Sequence, residues 1–132
     1  MRIRNYRPED EPALKQMHAA QGFDYAFPDL ANPLFVSKLV LEDDDGRSLM
    51  AALGRLSCEV YLLAEPKAAS PRERFLRMLM MHEATRHDLE ARGLDDATCW
   101  VPPGIEKSFG RRLERLGWVR DPWPSYSRRT AP

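Results

Sequence analysis

Cys58-Glu59-Val60-Tyr61-Leu62-Leu63-Ala64, then Ser70-Pro71-Arg72-Glu73 leading into a helical pattern that runs to Arg92, then Ala97-Thr98-Cys99-Trp100-Val101: this run decides the fold. The first and last stretches read as strands, the first ended by Glu65-Pro66 and the last by Pro102-Pro103-Gly104. Between them, serine as N-cap, proline at the first helical position and glutamate at the third form a capping box, and Gly93 supplies the stop. Strand, long helix and strand make a βαβ unit, so part of the sheet is expected to be parallel.

Upstream the pattern changes. Arg2 to Tyr6 alternates and reads as a strand, and Arg7-Pro8-Glu9-Asp10-Glu11-Pro12 has the acid and proline of a helix start. Ala13, Leu14, Met17 and Ala20 recur at helical spacing up to Gly22. Phe23 to Leu30 is irregular and aromatic-rich, a loop. Leu34 to Leu41 suits a strand or a short helix. Asp43-Asp44-Asp45-Gly46 is a hairpin turn, and Ser48 to Leu56 is the strand beyond it. Downstream, Ile105 to Leu116 is an amphipathic helix closed by Gly117, and 118–120 with 126–129 reads as a small hairpin. The expected order is β-α-loop-β-β-β-α-β-α-β-β, a mixed α/β (α+β) sheet with helices on both faces.

The chain has 132 residues and 43% hydrophobic content, which fits one domain spanning 1–132 and argues against wholesale disorder. Basic and acidic side chains both number 20, so no net field steers the chain to nucleic acid or an anionic membrane. No apolar run reaches membrane-spanning length, and Met1 to Tyr6 lacks the apolar core of a signal peptide. Cys58 and Cys99 lie in apolar runs without a CxxC or Cys/His pattern and read as reduced thiols; a cytoplasmic location is expected.

With these elements in place the chain resembles the GNAT family of N-acetyltransferases. Ile3-Arg4-Asn5-Tyr6-Arg7-Pro8-Glu9-Asp10 looks like the family's first strand and helix start. Asp44-Asp45-Gly46-Arg47 looks like its β2–β3 hairpin, Leu63-Ala64-Glu65-Pro66 like the end of its β4, and Leu113-Glu114-Arg115-Leu116-Gly117-Trp118 like its closing segment. The resemblance implies an acyl-CoA N-acyltransferase-like fold with splayed β4 and β5, and transfer of an acyl group from acetyl-CoA to an amine of a small molecule or protein. It puts the backbone of Leu62, Leu63 and Ala64 on the thioester arm, and Ser70, Arg72 and Arg74 on the pyrophosphate. Glu59 falls where the family keeps a base, and Tyr61 or Tyr126 could supply the acid. Phe23, Asp24, Tyr25 and Phe27 would line the acceptor side.

Two departures weigh against activity. The family's pyrophosphate loop is glycine-rich, and residues 69–74 contain no glycine. A capping box there consumes amide donors that a phosphate would use, and Glu73 adds a carboxylate: at ~5 Å and an effective dielectric of ~20 each like-charge pair costs ~3 kcal/mol, a factor of ~100 or more in affinity. The tyrosine of the closing motif is replaced by Leu113, which has no proton to give. The alternative is a non-catalytic GNAT-like binding module that has lost acyl-CoA.

Several other residues read more simply. His82 shares an apolar stripe of the long helix with Phe75, Met78, Leu79 and Leu89, while His18 and His87 lie elsewhere, and the three histidines show no metal spacing. Met78, Met80 and Met81 look like core filling. Arg111, Arg112 and Arg115 form a solvated basic side, and Trp100, Trp118 and Trp123 suit a core or an interface. No metal, nucleic acid or membrane is expected as a partner. A second copy of the chain in a homodimer is compatible with this reading.

Overall fold

Strand propensity and the Asp43–Gly46 turn set up an antiparallel sheet in the computed structural model, which describes residues 1–67 and 69–131. Its three strands, β1 (Arg2–Asn5), β2 (Phe35–Glu42) and β3 (Ser48–Arg55), lie in chain order. Arg4 faces Val40 across β1–β2, and Val40 faces Ala51 across β2–β3. The turn closes as its sequence demands. Asp43 Oδ1 accepts from the amides of Asp45 (3.0 Å) and Arg47 (2.8 Å), and Gly46 takes the positive φ of 81° that a side chain would resist.

A single 3-10 turn, Pro8–Asp10, leads into α1 (Glu11–Gln21), which ends at Gly22 with φ 69°. The helix lies against β3, and Leu14, Leu30 and Val40 are the buried apolar residues among those described, Val40 completely so. The stretch Leu34 to Leu41, which its pattern leaves open between strand and short helix, is strand from Phe35 onward. Its amides pair with both neighbours, an arrangement a short helix would forgo.

β4 (Cys58–Glu59) and β5 (Ala97–Thr98) form a separate parallel pair, Cys58 opposite Ala97 and Glu59 opposite Thr98, joined by α2 (Pro71–Ala91). The strand–helix–strand unit is therefore present, as is a mixed α/β architecture with three α-helices among the described residues. Its strands are much shorter than 58–64 and 97–101. Strand length is set by the partner, and after the Val60 amide bonds the Thr98 carbonyl (2.8 Å) the two backbones pair no further. Nor do these strands join the antiparallel sheet.

By residue contacts the chain divides into two compact units, Met1–Thr98 and Cys99–Pro132. The second contains α3 (Glu106–Arg115), closed at Gly117, with Arg120 bonded to Glu106 at 3.1 Å. The expected hairpin at 118–129 is not formed: no described residue there is in a strand. Trp100 and Trp123 are more than half exposed rather than core. Along α2, Phe75, Met78, Leu79, His82 and Leu89 form the half-buried stripe the periodicity gave, but Met80 and Met81 project to solvent, off that stripe, and fill no core. Among the described residues no helix is long and apolar enough to cross a membrane.

Candidate functional site

The start of α2 forms the capping box in full. Ser70 Oγ accepts from the Glu73 amide (3.3 Å), and a Glu73 carboxylate oxygen accepts from the Ser70 amide (2.9 Å). The Arg74 amide bonds the Ser70 carbonyl (3.0 Å), and Pro71 has no N–H to offer. Of the amides from Ser70 to Arg74, only that of Arg72 remains outside this accounting. The Ser70 amide also holds the Glu73 carboxyl below its ordinary value, so the group is an anion at neutral pH. Arg74 donates to the carbonyls of Pro66 (3.2 Å) and Ala69 (3.1 Å), which ties it to the preceding loop. Arg72 is exposed and has no protein partner among the described residues. A diphosphate therefore meets one free amide, one free guanidinium and a fixed carboxylate. These residues do not fit it.

Beyond Val60 the chain leaves β4. Leu62, Leu63 and Ala64 lie in no strand, are exposed, and make no backbone hydrogen bond among the described residues. Glu59 and Tyr61 meet: the Tyr61 hydroxyl donates to Glu59 Oε2 at 2.7 Å. That bond, and the negative charge behind it, raises the tyrosine's pKa, so Tyr61 keeps its proton well past neutrality. Tyr126 belongs to the second unit, is almost fully exposed and sits in an irregular segment.

The loop after α1 builds a second constellation. Phe23 stacks on Tyr25 (6.4 Å between centroids, 16° between planes), and His18 of α1 meets Tyr25 edge-on at 4.7 Å and Phe27 at 5.7 Å. Asp24 is exposed beside them. Between α1, β3 and this loop lies a half-open cavity of about 610 Å³, walled by Leu14, Met17, His18, Tyr25, Phe27 and Leu53 among others. The sequence marked Tyr25 and Phe27; it gave no sign of His18, whose place depends on how α1 is rotated against β3.

A cluster of charges also escaped the sequence reading. Arg4 of β1, only 13% exposed, grips both Asp10 oxygens at 2.8 Å and bonds Glu42 of β2 at 2.5 Å. Arg2 takes the other Glu42 oxygen, and the Arg7 amide bonds Asp10 at 2.8 Å. Both carboxyls are held below their ordinary values, first by the Arg4 hydrogen bonds. Every member is paired, so this is a joint between sheet and helix start. Near the β3 end, Arg55 and Asn32 both bond Asp95.

No cluster of three or more His, Cys, Asp or Glu suited to a metal occurs among the described residues. Burial raises the Cys99 thiol's pKa, with Asp121 adding to it, so it is not a reactive thiolate. Compared with known proteins, the chain matches no family model, no curated protein and no solved structure.

Proposed function

We propose that this chain is a GNAT-like binding module without a working grip on acyl-CoA. The observation that carries the reading is the closed start of α2. In an N-acyltransferase-like fold this helix end would receive the pyrophosphate on open amides, and here serine and glutamate side chains occupy them. The order β–hairpin–β-α-β supports the family likeness, and the missing glycine in 69–74 agrees with the loss of the cofactor. The test is a thermal-shift titration with acetyl-CoA and with CoA. A ligand at about 100 times its dissociation constant adds about 2.7 kcal/mol of stability. A flat response at millimolar nucleotide is expected; a saturable rise in melting temperature overturns the reading.

A second reading, an N-acetyltransferase acting on a small-molecule or protein amine, draws on a different observation. The β4–β5 ladder stops at Val60, leaving the backbone of Leu62, Leu63 and Ala64 unpaired beside the Glu59–Tyr61 bond. On this reading Glu59 is the base, Tyr61 or Tyr126 the acid, the 62–64 backbone holds the thioester, and Ser70, Arg72 and Arg74 face the phosphates. Phe23, Asp24, Tyr25 and Phe27 then take the amine. Tyr61 stays protonated at neutral pH, as an acid must. Measured acetyl transfer that Glu59→Gln abolishes would establish it. Transfer unchanged in Glu59→Gln would remove the glutamate from the reaction.

A further inference from the structure

We propose that the cavity between α1, β3 and the 23–28 loop is a binding site for a neutral, mostly apolar small molecule carrying one hydrogen-bonding group. The inference gives the binding-module reading its ligand and rests on that reading only for the claim that this is what the protein does. Three observations lead to it. The first is size and shape: about 610 Å³, walled on separate sides by a helix, a strand and an aromatic loop, lies within the range of small-molecule pockets.

The second is the chemistry of the wall. Among the described residues no Asp, Glu, Lys or Arg contributes to it; the polar lining comes from His18, Gln21 and Tyr25. A charged ligand would lose its water and gain no counter-ion, whereas a neutral ring would meet Tyr25, Phe27, Phe35 and methionine sulfur. Lys15 lies over the Phe27 ring at 5.7 Å but is already paired with Glu11, so it adds no free charge.

The third is His18. Its Nε2 is buried with no hydrogen-bond partner among the described residues, although buried polar atoms are nearly always satisfied. Tyr25 and Phe27 press edge-on against the imidazole and offer it no oxygen or nitrogen at that atom. The atom is closed to solvent, so a ligand hydroxyl, amine or carbonyl relieves the deficit by meeting the His18 ring as it turns towards the cavity it lines. The aromatic contacts fix where the ring stands, and the vacant bond selects a ligand with one polar group over a pure hydrocarbon.

The probe is N-phenyl-1-naphthylamine, a neutral two-part aromatic with a single N–H, titrated into the full chain and followed by fluorescence. Saturable one-to-one binding is expected. Ala51→Phe, which fills the cavity from β3, should weaken it about tenfold or more. Ala52→Phe, one residue along and outside the lining, should leave affinity within about twofold. His18→Phe keeps the aromatic bulk but loses the polar partner, and should weaken the amine probe while leaving 1-phenylnaphthalene, the wholly hydrocarbon analogue without the N–H, unaffected. Should Ala51→Phe fail to fold, amide shift mapping on the unaltered chain decides. Perturbations gathered on Leu14, His18, Phe27 and Leu53 support the site, and perturbations on Ile3, Leu39 and Leu41 overturn it, as does an equal effect of the two alanine variants. Nucleotide binding and dye binding are separate readouts: acetyl-CoA uptake with dye held in the cavity would sink the module reading alone, and a flat dye titration would sink this site alone.

Discussion

At two helix starts among the described residues an acidic side chain accepts from a backbone amide, and the two are used in opposite ways. Before α1, Asp10 is buried and its carboxylate bridges Arg4 of β1 and the Arg7 amide. At the start of α2, Glu73 is exposed and its carboxylate turns back on the Ser70 amide. Asp10 therefore ties the turn before α1 to β1 through Arg4, which in turn holds Glu42 of β2, while Glu73 completes only its own helical turn. The same residue chemistry acts as a joint where the register supplies a buried arginine and as a plug where it does not. The contrast predicts unequal costs when each acid is removed.

The largest effect belongs to Asp10. Asp10→Ala leaves one fork of the buried Arg4 guanidinium without a partner, and breaking such a pair costs about 3 kcal/mol. Chemical denaturation of the variant should show that loss with an unchanged slope. An unaltered midpoint would mean that the Arg4–Glu42 bond alone holds the joint, and the contrast with α2 would disappear.

Acid titration sharpens the same point. Asp10 and Glu42 both have folded pKa values below their ordinary 3.8 and 4.5. The unfolded chain then binds more protons than the native one through the acid range, so stability falls with falling pH. Their contribution is complete above the ordinary carboxylate range and is lost as pH drops below it through the folded values. Melting temperatures measured from neutral pH into that range should fall less steeply in Asp10→Asn than in the unaltered chain. Parallel curves would show that other carboxylates, such as the Arg55-bound Asp95, dominate acid unfolding.

How these parts relate to the sequence follows from the distance over which each is specified. The Ser70 capping box, the Asp43–Gly46 turn and the glycine stops at Gly22, Gly93 and Gly117 are local signals, and all are present in the structure. The ends of β4 and β5 were not legible, because apolar residues such as Leu62 and Val101 continue past the point where a pairing partner is present. The closing 118–129 segment misled for the same reason: alternation without a partner makes no strand. The joint could not be read either, since Arg4 and Glu42 are 38 positions apart and meet only once the β1–β2 register is set. His18 belongs with it. Of the residues marked for function, Glu59 and Tyr61 do meet, Tyr25 and Phe27 gather around that unmarked histidine, and Ser70 and Arg74 are already engaged by their own chain.

The smallest stability effect carries the most functional information. Replacing both members of the box, Ser70→Gly with Glu73→Gly, removes two reciprocal hydrogen bonds from a solvated helix end. Cap losses of this kind cost about 1 kcal/mol, with the glycine at the third helical position adding about 1 more, and the fold should survive. The amides of residues 70 and 73 then point to solvent without competitors, the carboxylate is gone, and Arg72 remains beside them. If the plug is what excludes a diphosphate, the double variant should gain a measurable thermal shift with CoA that the unaltered chain lacks, and added inorganic pyrophosphate should compete it away. A variant that folds and stays blind to CoA would place the obstacle elsewhere: in the exposed 62–64 segment, which would then offer no seat for the thioester arm even with the helix end open.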